Sequence, residues 1–448
     1  MRNYTPDNYL YETIAYGGAL DTVRGSYSNN MQKGMQYNAN LYGSFNVKEN
    51  QILQISLSGS YADNEYQYEY RENNSRISTH SDEDYYTLRG ELSYALNLNN
   101  KSSISARLIH NHTISSTTYT GSTNSWQHLW TGETLFFAQY HHRFGQKSTL
   151  YVHPGVSLLQ YKLHGDETFR RVSPRFQLLL SQKLSKSQNF VLGFFLGNSF
   201  PQISSLNSVE QQVDLIQVKR GNPDLDRSTL YLFRGNYNLN YRRISLYAGV
   251  QYGLFKHLAV DEYFVKGFLN DGGKLVQTYR SDATEHHVNG RVSLTWRPNN
   301  NLNIQVNGVY QLDRYTGGEN KSLNSVNGNI KAIYYLNDFA FNVYFRSPSK
   351  SLNNMVETTA PLNYGLGISY AHGDFRAEVG TNNPFMKNAE YEYHYLNDIY
   401  RYDNTVVSKT ASQTAYVKLA YTFDFGKKTS RDKNNVDKTI DSAILKAY

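Results

Sequence analysis

The chain has no cysteine. That excludes a disulfide framework, a thiolate metal site and a cysteine nucleophile, and it leaves the compartment open. Proline is scarce, with 9 in 448 residues. No long apolar run exists. The longest, FVLGFFL at 190–196, is already broken by Gly193, whereas a helical membrane span needs about 20 apolar residues. No cluster of one charge sign exists either. The 45 Lys and Arg are interspersed with 38 Asp and Glu, so the one-sided basic face expected of a nucleic-acid binder is missing. The opening residues MRNYTPDNYLYETIAY lack the cationic start and apolar core of a secretory leader. Taken alone they argue for the cytoplasm; the rest of the chain argues otherwise. No G-x-S-x-G, P-loop or H-E-x-x-H motif occurs. Disorder is excluded by an aromatic content of 14%, since disordered chains are poor in aromatics.

What is present is period-2 alternation along nearly the whole chain. In 51–61, Leu53, Ile55, Leu57, Gly59 and Tyr61 share one face; Gln54, Ser56, Ser58 and Ser60 share the other. In 86–96, Tyr86, Leu88, Leu92, Tyr94 and Leu96 alternate with Thr87, Arg89, Glu91, Ser93 and Ala95. In 302–312, Leu302, Ile304, Val306, Tyr310 and Leu312 alternate with Asn303, Gln305, Asn307 and Gln311. Successive strand side chains point to opposite faces, so each segment is apolar on one side and polar on the other.

Tight polar turns join these segments in pairs: 48–50, 99–101, 185–188, 298–301, 337–338 and 372–374. Longer polar stretches separate the pairs, at 71–81, 119–128, 200–227, 268–273, 314–322 and 383–410. Short turns at one end and long loops at the other are the sidedness of an outer-membrane barrel. The pattern predicts hairpins 33–46/51–66, 83–97/102–117, 129–143/149–163, 167–184/189–199, 228–241/244–258, 283–297/302–313, 324–337/339–347 and 360–371/374–382. A closing strand at 412–425 and a leading strand at 8–17 bring the count to 17 or 18. Many segments exceed the roughly 9–11 residues that cross a bilayer, so their excess should stand above it.

A soluble β-sandwich also alternates, but its strands run about 5–6 residues. A solenoid would repeat a short motif, and none recurs. The uncharged polar face of Asn, Ser, Gln and Thr suits a wet lumen. The 40 tyrosines fit a membrane–water girdle: Tyr231, Tyr237 and Tyr241 bracket Phe233 and Leu239, and Tyr364 and Tyr370 bracket Leu366 and Ile368. The fold class expected is all-β, a large antiparallel transmembrane barrel.

Two ordered motifs carry a resemblance. SFPQISSL at 199–206 contains Pro201, Ile203 and Leu206 in a P-x-I-x-x-L stretch; GNPDL at 221–225 supplies Gly221, Asn222, Pro223, Asp224 and Leu225; an alternating strand follows. This resembles the outer-membrane barrel of TonB-dependent receptors. The terminal AYVKLAYTFDFGKK, 415–428, looks like the closing strand of such barrels, with Ala415, Val417, Leu419, Tyr421, Phe423 and Phe425 toward lipid. The resemblance covers roughly 33–428. It implies active uptake of an unidentified substrate through a barrel of about 22 strands. It also implies insertion into outer-membrane lipid by the barrel-assembly machinery, with a surface lipoprotein as a candidate partner. The inner-membrane TonB complex is a partner if a plug lies upstream.

The chain departs from that pattern in having no identifiable TonB box or plug and about four strands too few, a deficit on the N-terminal side that reads as truncation. The division expected is 1–32 as leading strand and loop, 33–425 as barrel, and 426–448 as a polar periplasmic tail with a short helix near 437–445.

No catalytic constellation, cofactor site or metal site is expected. His141–His142 and His286–His287 are sequence neighbours on opposite faces and cannot share one metal. His110 and His112 share a face, where a metal site is weighed against ordinary lumen or loop residues. Arg107, Arg234, Arg291, Lys331, Arg346, Arg376, Glu378, Lys418 and Asp424 fall on polar faces and should line the lumen. Two rival functions remain, a passive plugless porin and a structural or adhesive barrel; an enzyme is the weakest class, because no Ser–His–carboxylate set is visible.

Overall fold

The computed structural model describes all residues except 1, 5–7, 17–18, 73, 268–272, 397–398, 424–441 and 448; side chains are described from Tyr27 onward, Leu396 excepted. Asp424, Phe425, the start of the C-terminal tail and the first half of its expected helix lie outside the described residues.

The wall is an antiparallel meander. It opens with β1 (Arg2–Tyr4) and β2 (Asn8–Tyr16), which lie along the same edge of β3 (Ala19–Lys48) as one interrupted leading strand. β4 (Gln51–Glu72), β5 (Ser75–Asn99), β6 (Ser102–Gly121), β7 (Ser125–Phe144), β8 (Ser148–Leu163), β9 (Phe169–Lys183) and β10 (Gln188–Ser199) follow, each beside its predecessor. After two short strands, β11 (Glu210–Gln212) and β12 (Gln217–Arg220), the wall resumes with β13 (Ser228–Tyr241) against β10. It continues through β14 (Ile244–Lys266), β15 (Lys274–Trp296), β16 (Leu302–Thr316), β17 (Lys321–Leu336) and β18 (Phe339–Arg346). β19 (Ser349–Asn353) and β20 (Val356–Ala360) leave the wall. β21 (Asn363–His372) and β22 (Phe375–Asn382) rejoin it beside β18. β23 (Ala389–Leu396) and β24 (Arg401–Ser408) form a separate four-stranded sheet with β19 and β20, and β25 (Thr414–Tyr421) closes the series against β22. The main sheet holds 21 strands. Setting aside β11 and β12 and counting the interrupted leading strand once leaves eighteen in the wall.

All eight expected hairpins are present, with the leading and closing strands. The boundary expected at 32/33 does not mark an element: β3 runs through it, and its ladder to β4 is continuous from Tyr27. The stretches 71–81 and 119–128 are strand rather than loop, and only a few residues near 73 and 122 turn the chain. The reason is that polar, charged residues pair their backbones as well as apolar ones do, and above the membrane nothing selects for an apolar face. β5 therefore reaches 25 residues, while β18, β22 and β25 have 8 each. The four-stranded sheet belongs to connections that rise from these short strands.

The alternation places Ile55, Leu57, Leu88, Leu92, Leu108, Val250, Val292, Leu294, Val306 and Ile330 on the outside, exposed near the short-turn end. On β25, Val417 and Leu419 are 66% and 70% exposed. The girdle is visible on the same face. Tyr37, Tyr61 and Tyr86 stack at ring separations of 6.4 and 4.9 Å where the outer face turns polar at Asp84, which accepts the Tyr61 hydroxyl at 2.7 Å. One irregularity re-aims a strand. His257 sits at φ 57°, the ladder slips between Phe255 and Leu258, and Val260 thereby becomes fully buried on the inner side. A left-handed non-glycine residue at a bulge is the usual device for such a switch.

The face assignment has a direct test. Leu294→Arg and Leu419→Arg place charge toward hydrocarbon, at about 2–4 kcal/mol near mid-membrane. Asn307 faces inward and donates to Asn329 Oδ1 at 2.9 Å, so Asn307→Arg should be tolerated. Folding yields into lipid vesicles should fall for the first two and hold for the third; equal yields would remove the assignment.

Candidate functional site

Inside the wall, the 200–227 connection turns inward rather than rising as a surface loop. Its first motif forms a 3-10 turn, Ile203–Leu206. Its second packs directly on the first. Asn222 N donates to Ser205 O at 2.7 Å. A Cβ on Gly221 would collide with the carbonyl oxygens of Ser205 and Asn207, so only glycine allows the two segments this approach. Pro201, Leu206 and Leu225 are buried, Leu206 and Leu225 completely. Ile203, Asn222 and Pro223 are half-buried and Asp224 is exposed. The sequence motifs are thus one folded unit; Asp224 alone points to solvent.

Wall side chains anchor this unit from several strands. Tyr161 on β8 donates to Pro223 O at 2.6 Å, and Tyr68 on β4 donates to Val213 O at 2.5 Å. Asn207 Nδ2 donates to the Tyr119 hydroxyl of β6 at 2.7 Å, and Asn222 Nδ2 donates to Tyr279 O of β15 at 2.9 Å. β12 adds a parallel ladder to β15, Gln217–Lys219 against Leu275–Gln277. It occupies the edge of β15 above the point where pairing with β16 ends at Thr284. Burial pushes the Lys219 amine below its ordinary range, opposed by the neighbouring Asp261 carboxylate. A buried backbone carbonyl with a tyrosine donor is satisfied without water, which is why the inner face carries so many tyrosines here.

A second inner cluster joins Val260, Ala283 and Tyr315 of the wall to Leu352, Met355 and Tyr395 of the four-stranded sheet. Lys321 Nζ donates to Met355 O at 2.7 Å. Beneath it lie Glu285, His287 and Asp313, whose ligand atoms fall within 4.8 Å of one another. His287 Nδ1 and Asp313 Oδ1 are 2.6 Å apart, and Gln311 Nε2 donates to Asp313 Oδ2 at 2.7 Å. This set is internally hydrogen-bonded, and a lumen lining explains it. Closer to the short turns, Glu91 bridges Arg107 at 2.6 Å and Arg89 at 3.1 Å, and Glu378 meets Lys418 at 3.5 Å.

The adjacent histidines do lie on opposite faces. His141 stacks on Tyr151 at 4.5 Å, His142 meets Phe144 at 4.4 Å, and His286 bonds Tyr252 at 2.9 Å on the outside. His110 and His112 are not lumen residues. Their rings stack at 6.0 Å on the outer face, with Trp130 at 5.7 Å from His112 and Thr134 Oγ1 at 2.8 Å from His110 Nδ1.

The described part of the tail, expected outside the barrel, lies within it. Ser442–Ala447 is extended, not helical, and lies against the inner wall, with Ala443, Ile444, Leu445 and Ala447 buried. Ile444 and Ala447 join Tyr66, Tyr68, Tyr70, Ile77 and Tyr119 with Val209 and Val213 of the inward connection. Reading the sequence missed both this placement and its anchor, Glu83. The available signals were the YQYEY run at 66–70, tyrosines on the polar face of β4, and the apolar SAIL stretch inside an otherwise charged tail.

A tall antiparallel wall, apolar outside and filled by its own connections, defines an integral outer-membrane β-barrel protein. The profile of the outer membrane protein beta-barrel family matches residues 166–423, and the chain belongs to that family. Among solved structures, the copper transporter OprC superposes with a TM-score of 0.61 at 10% identity, over 90% of this chain and 77% of that one. The ferric citrate transporter FecA gives 0.62 at 12%, over 89% and 62%. The ferric yersiniabactin uptake receptor FyuA from Yersinia pestis gives 0.57 at 10%, over 91% and 64%. The chain therefore spans less than two thirds of FecA and of FyuA. These similarities establish the fold, a large outer-membrane barrel, and the proteins named are transporters and an uptake receptor. No curated protein sequence matches the chain.

The Gly221 contact predicts a selective effect. A Gly221→Val side chain overlaps two backbone carbonyls, at an overpacking cost of about 1–3 kcal/mol borne by the connection and not by the wall ladder. Limited proteolysis should cut within 200–227 at least ten-fold faster, with the heat-modifiable gel mobility of the folded barrel unchanged. Unaltered protection would mean that the motifs do not depend on this approach.

Proposed function

We propose that the chain is the barrel portion of an outer-membrane receptor for energised uptake of a substrate not yet identified. The observation that carries this reading is the inward-folded 200–227 connection, packed against the inner face of the wall. The connection bearing Pro201, Ile203, Leu206, Gly221, Asn222, Pro223, Asp224 and Leu225 is hydrogen-bonded to strands on several sides of the wall. A passive porin needs a water path, and its constricting segment leaves one. A connection fixed to the wall at several points narrows that path until something rearranges it.

The ends of the wall fit the same reading. Among the described residues, β25 pairs only with β22, and Met35–Lys48 of β3 pairs only with β4. Each unsatisfied backbone group in hydrocarbon costs several kcal/mol, so these edges require partners. About four further strands would supply them and bring the barrel to the size that the resemblance implies. In this reading residues 33–425 with the leading strand form the lipid-embedded part. The barrel-assembly machinery inserts it, and the inner-membrane TonB complex is a partner if a plug lies upstream.

Planar-bilayer recording separates the receptor from the porin. Excision of 201–226 with a short Gly–Ser bridge should raise the steady conductance many-fold over that of the unmodified chain. Equal, large conductance of the unmodified and excised chains would favour passive diffusion and sink the receptor reading.

A further inference from the structure

The inner wall holds the Ser442–Ala447 segment in the manner of a receptor holding a peptide. Glu83 on β5 is almost fully buried, with 2% exposure. Its carboxylate accepts from Asn64 Nδ2 at 3.0 Å and from Ser115 Oγ at 2.7 Å, both wall residues. Its two further donors come from the segment: Ser442 Oγ at 2.6 Å and Ala443 N at 2.8 Å. One strand period later, Leu445 N donates to the Tyr119 hydroxyl at 3.1 Å. Amides two residues apart point the same way on an extended chain, so wall side chains read one backbone edge. Ile444 and Ala447 enter the pocket of Tyr66, Tyr68, Tyr70, Tyr119 and Ile77; Ala443 meets Ala62 and Tyr85. Lys446 Nζ reaches Gln32 Oε1 at 2.8 Å.

We propose that this groove is a binding site for a short extended peptide with aliphatic side chains, and that the chain's own C-terminal segment is its resting occupant. The chemistry selects the class. A buried carboxylate that loses half its donors is left under-solvated, which costs more than a neutral group would. Any replacement must bring adjacent N–H or O–H donors together with apolar side chains. An anionic ligand would face Glu83 with no cation to compensate. A sugar has no side chain to fill the tyrosine-lined pocket. Backbone recognition with side-chain pockets is the general mode by which extended peptides are held.

The tether sets the competition. About twenty residues of chain separate the segment from β25, so its binding is intramolecular and favoured over that of a free ligand. A free peptide therefore competes poorly until the segment is released. This inference goes beyond the transport reading, because binding is measured on the purified barrel in detergent without an energy source; its failure would leave uptake untouched.

The probe is fluorescein-labelled Ser-Ala-Ile-Leu-Lys-Ala amide, titrated by anisotropy into the full chain and into an Ile444→Asp/Leu445→Asp double variant that evicts the segment without shortening the chain. Heat-modifiable mobility certifies that each protein is folded. The double variant should bind saturably and at least ten-fold more tightly than the unmodified chain. Adding Tyr119→Phe should weaken binding several-fold, and Ser-Ala-Asp-Asp-Lys-Ala amide should not bind. Absence of saturable binding to the folded double variant overturns the proposal. So does equal binding of the two peptides, or equal affinity of the evicted and unmodified proteins.

Discussion

The structure depends on one requirement: in hydrocarbon, every backbone amide and carbonyl must be satisfied by the protein itself. The long antiparallel ladder does this across the wall. β14 and β15 alone stay paired from Ile244 to Lys266, interrupted only at the bulge around His257. Because the ladder fixes register, it also fixes faces, and a one-residue slip would invert every side chain. Ile55, Val292 and Leu419 meet lipid, and Arg107, Asn307 and Lys418 meet water, for the same geometric reason.

The ladder does not end where the membrane does. Strands such as β4 and β5 continue well past the apolar belt, and there the inner face changes character. Near the short turns it is charged, with Glu91 in contact with both Arg89 and Arg107. Toward the long loops it becomes a dry, tyrosine-rich surface on which polypeptide folds. Tyrosine suits that task because its ring buries apolar area and its hydroxyl satisfies a stray carbonyl or amide. Tyr68, Tyr119 and Tyr161 each do both.

That zone gathers segments from distant parts of the chain. The 200–227 connection, the four-stranded sheet and the C-terminal segment all pack on the inner face, and the connection and the C-terminal segment also meet each other. Val209 and Val213 share a cluster with Ile444 and Ala447. Moving the C-terminal segment would therefore expose part of the connection.

The wall was legible in the sequence because period-2 alternation is local: each residue's face follows from its neighbours. The eight hairpins, the leading and closing strands and the outward residues of β25 were all read this way. The motif pair at 201–206 and 221–225 was also visible, though not the reason for it, which is a glycine contact closed only by folding. Alternation carries no information about what fills a lumen, since that depends on residues distant in the chain. Glu83 meets Ser442, and Tyr119 meets both Asn207 and Leu445. The outward placement of His110 and His112 beside Trp130 likewise needed the neighbouring strand's register. By itself the sequence determined an amphipathic antiparallel wall for the outer membrane. Only the tertiary structure decided that its interior is closed by its own chain, because burial of polar backbone inside a lumen is arranged between segments hundreds of residues apart.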